Sequence, residues 1–222
     1  MGLLAASLLG GALALDGTAV GQLMLSRPLV VGLIVGFASG DPIDGFMAGV
    51  ILEIYLLVAF PVGGARFPEG ATATTVAVVT AASAPGPGAL ALGVGLGLIW
   101  GQVGGWSISA MRTLNGGIAP DPAADTVTPF RVVSGHVLAI VLDFVRGTVV
   151  TASGIIVGRP LVGRLAERWP LGPEDTKGLL LVGAAVSAGI LLRSFGGFAR
   201  RRVFFLAGVV AGVAAGLLAG LP

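Results

Sequence analysis

Gly45-Phe-Met-Ala-Gly-Val-Ile-Leu-Glu53-Ile-Tyr-Leu-Leu-Val-Ala-Phe60 is an apolar run with one carboxylate at its centre. At that depth in a lipid-facing helix, the charge of Glu53 costs at least ~2.5 kcal/mol. A cation, a hydrogen-bond donor, a water-filled cavity or a polar ligand must satisfy it. Immediately downstream, Pro61-Val-Gly-Gly-Ala-Arg66-Phe-Pro-Glu69 interrupts the helical pattern and adds Arg66 and Glu69. A buried acid beside a Gly/Pro-interrupted hydrophobic element is the sequence mark of a binding site near a bilayer midplane.

The rest of the chain fits that setting. Its 222 residues are 55% hydrophobic and only 11% charged, with a mean hydropathy of +0.98. This is an all-α polytopic membrane protein, since spanning segments need ~20 apolar residues each and must satisfy their own backbone. No soluble domain is large enough to hold a separate active site. The 38 glycines allow helix backbones to approach closely in lipid, where apolar burial gives no drive to association. Twelve arginines and one lysine fall mainly in connections, a pattern of positive-inside loops rather than of nucleic-acid binding. With no cysteine and one histidine, thiolate chemistry, disulfides and histidine-clustered metal sites are excluded, and no cofactor is expected.

Apolar segments run over 2–25, 29–40, 43–60, 70–84, 89–111, 132–157, 178–192 and 203–221. The first is read as a membrane segment rather than a signal peptide, because a basic n-region is missing and apolar character resumes after Asp16. Several segments are too short to span, and only Gly40-Asp41-Pro42 separates the second from the third. A bundle containing short, broken or re-entrant helices is expected. The single transmembrane domain, 1–222, divides into a first half 1–114, a Pro-rich loop 115–131 and a second half 132–222. Arg27-Pro-Leu-Val30 recurs as Arg159-Pro-Leu-Val162, which is compatible with an inverted repeat of the transporter kind. The basic loop 159–177 and Arg200-Arg201-Arg202 both belong on the cytoplasmic side by the positive-inside rule. A re-entrant hairpin at Ser187-Ala188-Gly189 would reconcile them.

Two polar groups stand out. Asp16, Arg27, Asp41, Glu53, Arg66 and Glu69 lie at the ends or middles of first-half segments. Asp41, beside Pro42, is expected to cap a helix. His136, Asp143 and Arg146 share one face of a helix, either as a wall of a substrate path or with Asp143 and Arg146 as an intramembrane pair. Gln102 sits between Trp100 and Trp106. Carboxylates and amides accept directed hydrogen bonds from hydroxyls, so Glu53, Glu69, Asp16, Gln102, Arg66 and Asp143 are the candidate substrate-binding residues for a sugar or polyol. The same acids would serve an ion- or proton-coupled secondary transporter, which is the alternative reading.

Taken in order, Leu15-Asp16, Arg27-Pro28, Gly40-Asp41, Leu52-Glu53, Gly63-Gly64-Ala65, Pro68-Glu69, Gly101-Gln102, Met111-Arg112, His136 and Asp143-Phe-Val-Arg146 carry a resemblance. They resemble the IIC membrane subunit of the mannose-family (mannose/fructose/sorbose) phosphoenolpyruvate-dependent phosphotransferase system, over nearly the whole chain. The resemblance implies a non-catalytic permease subunit in a bacterial cytoplasmic (inner) membrane, multi-pass and oligomeric. It also implies a IID membrane partner and soluble IIA and IIB components that relay phosphate to the sugar substrate. Two departures mark the chain: Glu69 where the family usually has aspartate, and Ala59-Phe60-Pro61 with Arg66 where a polar stretch and small residues are usual.

Overall fold

Gly40, Asp41 and Pro42 make the first decisive joint. In the computed structural model, which describes residues 1–57, 65–119, 127–194, 202–204, 206–211 and 214, helix α1 (Leu3–Thr18) precedes α2 (Pro28–Ser39). Pro28 opens α2 at a position where its missing N–H costs nothing. Gly40 closes it in the left-handed region (φ 83), while the Asp41 N–H reaches back to the Gly36 carbonyl at 3.0 Å, a Schellman ending. Asp41 then caps α3 (Pro42–Leu56), accepting from the Asp44 N–H, as the sequence led us to expect.

This joint folds α2 back against α3, and glycines set the spacing. A methyl on Gly45 would lie 2.6 Å from the Gly32 carbonyl oxygen, and one on Gly36 would lie 2.9 Å from Gly45 Cα. At 12 and 15 residues, the two helices are about 18 and 22 Å long, short of the ~30 Å hydrocarbon core.

Helix α4 (Gly70–Ala81) is the centre of the bundle. Every residue from Ala71 to Ala81 is buried, under α1, α2, α3, α5 and α6. Its threonines tolerate this because Thr74, Thr75 and Thr80 donate to carbonyls one turn back, at 2.7–2.8 Å. Gly93 and Gly97 of α5 (Gly88–Ile118) meet the carbonyls of Ala77 and Ala73, each 2.6 Å from where a Cβ would sit.

Helices α5, α6 (Pro129–Ala166) and α7 (Pro173–Ser194) are long and apolar enough to cross a membrane. Several expected boundaries move. Helix α1 ends at Thr18 rather than near 25, the loop expected over 115–131 loses residues to α5 and α6, and the loop over 159–177 contracts to 167–172. In each case a helix extends or stops where backbone bonding and caps dictate, not where hydropathy changes. Thr128, for instance, caps α6 by accepting from the Arg131 N–H. The hairpin expected at Ser187-Ala188-Gly189 is absent, because α7 is continuous. Breaking it would expose unpaired backbone at several kcal/mol per group, against about 1 kcal/mol for keeping one glycine helical. Arg168 and Arg193 therefore sit at opposite ends of α7. Arg27-Pro28 starts a helix, whereas Arg159-Pro160 lies inside α6. Ala59-Phe60-Pro61, Gly63-Gly64, Pro120 to Pro122, Arg200, Arg201 and most of 203–221 lie outside the described residues.

The α2–α3 packing predicts a contrast between two glycines. Gly45→Ala should destabilise the purified protein by on the order of 1–3 kcal/mol, read as a lower melting temperature in detergent. Gly95→Ala, with nothing within 4 Å of its Cβ position, should leave melting unchanged or raise it. Equal behaviour of the two would contradict the close α2–α3 approach.

Candidate functional site

The polar site is assembled where α1, the α1–α2 connection, α5 and α6 meet. Asp16, on the last turn of α1, is buried. Its Oδ1 accepts from the Leu23 N–H at 2.6 Å and its Oδ2 from the Ser26 N–H at 3.0 Å. The loop it holds is unusual, with Gly21, Gln22 and Met24 at φ 92, 54 and 64. Left-handed backbone costs non-glycine residues about 1–2 kcal/mol each, and charge-assisted bonds of this kind offset it. Asp16 thereby delivers Ser26 and Arg27 to the next helix.

Arg27 forms an ion pair with Glu53, whose Oε2 also accepts from the Leu29 N–H at 3.3 Å. Leu29 is in the first turn of α2, where N–H groups lack helical partners and the dipole favours an anion. The cost of Glu53 is therefore met inside the protein, and the Arg27 side chain stays half exposed.

The deepest charges form a triad. Glu69, preceding α4, is 4% exposed, Asp143 4% and Arg146 8%. Arg146 Nη2 donates to Glu69 Oε1 at 2.7 Å and Nη1 to Glu69 Oε2 at 3.1 Å, a bidentate fork. Arg146 Nε donates to Asp143 Oδ1 at 2.6 Å, and Nη1 also reaches Ser107 Oγ at 2.9 Å. Thr72 Oγ1 donates to Glu69 Oε2 at 2.8 Å, and Thr18 Oγ1 donates to Asp143 Oδ2. The sequence offered an Asp143–Arg146 pair as one of two readings of that helix face. It did not foresee Glu69, 77 positions away.

A cavity of about 720 Å³ opens over this floor, walled by Asp16, Asp143, Arg27, Arg112, Asn115 and His136 among others. Its size is within the range of small-molecule sites, ~300–1,000 Å³. Arg112 lies over the Phe67 ring, 5.7 Å from its centroid. Of the six residues picked from sequence, Asp16 and Asp143 line the cavity and Glu69 supports Asp143 through Arg146. Glu53 stands behind the wall on Arg27. Gln102 and Arg66 are exposed and are not among the residues that line it. Trp100 packs inward, its Nε1 donating to the Val150 carbonyl at 2.9 Å, while Trp106 is exposed. Arg112 and Asn115 also line the cavity, and Arg146 is paired to its wall residue Asp143, none of the three being among those six. Helical spacing could have flagged Arg112 and Asn115, one turn apart on α5.

A carboxylate has about four acceptor positions on its two oxygens. In Asp16 and Asp143 one donor engages each oxygen, which leaves further acceptor capacity beside the cavity. That is chemistry for binding hydroxyl groups with fixed direction.

Comparison with known proteins agrees with this picture. The family of the phosphotransferase-system sorbose-specific IIC component matches residues 3–211. A solved structure described only as that of a membrane protein superposes with a TM-score of 0.69 at 21% identity, covering 98% of this chain and 90% of that one. The cryo-electron-microscopy structure of the mannose transporter ManYZ with microcin E492 (MceA) gives 0.59 at 22% identity, covering 99% and 93%. No curated protein sequence matches the chain. At these identities the two structures establish a shared fold.

Removing the guanidinium should be the most damaging single change in the site. Arg146→Met would leave Glu69 and Asp143 buried without a counter-charge, a loss of about 3–5 kcal/mol, seen as a large drop in melting temperature in nanodiscs. Adding Glu69→Gln and Asp143→Asn to Arg146→Met should recover most of it. A single variant that melts like the parent would contradict the triad.

Proposed function

The chain belongs to the sorbose-specific IIC component family of the phosphotransferase system, and we propose that the cavity over Asp143 is where it recognises its sugar. The protein is a multi-pass membrane subunit for sugar transport in that system. It works as one transmembrane unit in a bacterial cytoplasmic membrane, beside a IID membrane partner and within an oligomer. Soluble IIA and IIB components bring the phosphoryl group, and this subunit supplies recognition and a path.

The observation that carries the assignment of the site is the Glu69–Arg146–Asp143 triad beneath a cavity of hexose-compatible size. Arg146 fixes the Asp143 carboxylate, and Asp16 holds the opposite wall. Both acids keep acceptor positions for sugar hydroxyls. Because every charge in the floor is already paired, a neutral ligand binds without an ion having to be desolvated anew. Glu53 and Arg27 keep the start of α2 in place at the cavity edge. Glu69, one methylene longer than aspartate, reaches the Arg146 fork from the α4 N-terminus, so sugar selectivity follows from Asp16 and Asp143 rather than from direct contact with Glu69.

Membranes containing this chain and a IID partner, supplied with soluble phosphotransferase components, should phosphorylate at least one of a panel of hexoses, hexosamines and sorbose when phosphoenolpyruvate is present. The reaction should disappear when this chain is left out. Asp143→Asn should lower it on the order of tenfold or more, the worth of a charge-assisted hydrogen bond, with the protein still in the membrane. Phosphorylation that is indifferent to the chain would refute the role. Phosphorylation indifferent to Asp143→Asn would refute the site.

A further inference from the structure

We propose that the outer half of this cavity is a phosphate-recognising subsite in which Arg112 and His136 hold the phosphate monoester of a sugar. The inference rests on the reading of the cavity as the sugar site. Both oxygens of Asp16 accept backbone N–H groups, and both oxygens of Asp143 accept from Arg146 and Thr18. Arg27 is shared with Glu53. Arg112 is different. Among the described residues it has no carboxylate within ion-pair distance, and its contacts are the Ala65 carbonyl at 3.4 Å and the face of Phe67. A guanidinium lying over a ring is oriented while most of its five N–H donors stay free. That planar fork matches a phosphate better than it matches a neutral hydroxyl.

His136 supplies a second donor from the facing helix. Helices α5 and α6 are successive and antiparallel, so the C-terminal part of α5 stands beside the N-terminal part of α6. Arg112 is six residues from the end of α5, and His136 is seven from the start of α6. Both line the cavity. Asp143 lies seven residues further along α6 than His136, about 10 Å deeper. The cavity is therefore graded, with hydroxyl acceptors at depth and phosphate donors toward the mouth. A sugar held on Asp143 would present its phosphorylated end to Arg112. This mouth is at the end of the bundle that also bears Arg131 and Arg193.

The test is titration calorimetry on the full chain with its IID partner in phosphatidylcholine nanodiscs. The probes are mannose 6-phosphate, sorbose 1-phosphate, inorganic phosphate and the neutral sugars. At least one sugar phosphate should bind, and Arg112→Gln should weaken it about tenfold or more, a clearly larger factor than the same change causes for the neutral sugar. Arg112→Lys, which keeps the charge and loses the fork, should fall between, and His136→Gln should weaken sugar phosphate and inorganic phosphate together. Melting temperatures check that each variant is folded. Sugar-phosphate affinity that is unchanged in both Arg112→Gln and His136→Gln would overturn the proposal, as would no binding of any phosphate probe by the parent. So would sensitivity of Arg112 only to added phosphatidylglycerol, which would make the site one for a lipid headgroup. A parent that binds sugar phosphates yet supports no phosphoenolpyruvate-dependent phosphorylation would instead fault the functional reading.

Discussion

The fork of Arg146 on Glu69 fixes the positions on which the rest of this membrane bundle depends. Glu69 heads α4, Asp143 is one turn before Arg146 on α6, Thr18 on Asp143 ends α1, and Ser107 on Arg146 belongs to α5. One guanidinium thus pins four helices together in a region where hydrophobic burial cannot do so. Two carboxylates and one cation, all less than a tenth exposed, would be prohibitive unless each polar atom found a partner. Hydrogen bonds from Thr18 and Thr72 to the carboxylates, and from Arg146 to Ser107, complete the set, and Asp143 retains acceptor capacity beside the cavity.

Glycine does the complementary work. Because α4 is about 18 Å long, it can be enclosed only if neighbours come close enough to leave no lipid or water around its ends. Gly93 and Gly97 let α5 touch its backbone, and Gly32, Gly36, Gly45 and Gly49 fold α2 onto α3 beside it. A buried half-length helix with a charged residue at its head places polar groups at membrane depth without exposing them to lipid. The α2–α3 pair works similarly, since its Arg27–Glu53 contact seals the helix start that borders the cavity.

Much of this was legible in the sequence, and the gaps have physical causes. Short helices flanking Gly40-Asp41-Pro42 followed from segment length and turn chemistry, and Asp41 caps α3 as its place before proline implied. The Asp143–Arg146 pair was visible because residues three apart share a helix face. Glu69 was seen as a polar residue near a break, but its partner could not be, since nothing local links positions 69 and 146. Glu53 looked like the site itself because hydropathy reports burial and not partners. The structure pairs it with Arg27 and an open helix end. The hairpin expected in α7 failed because charge counting in loops overrides neither backbone bonding nor the cost of breaking a helix in lipid. Gln102 shows the same limit: spacing placed it between tryptophans, yet it is not among the residues that line the cavity.

The family relationship and the geometry meet in one claim, that sugar is held between Asp16 and Asp143 on a floor fixed by Arg146. The most direct measurement is an experimental structure of this chain with its IID partner in nanodiscs, soaked with the sugar that it phosphorylates. Sugar density is expected in the cavity, with hydroxyls within hydrogen-bond distance of the Asp143 carboxylate and the Arg146–Glu69 fork intact beneath it. Sugar density elsewhere, such as against the exposed Gln102 face of α5, or a fork opened to make direct contact with the sugar, would contradict it.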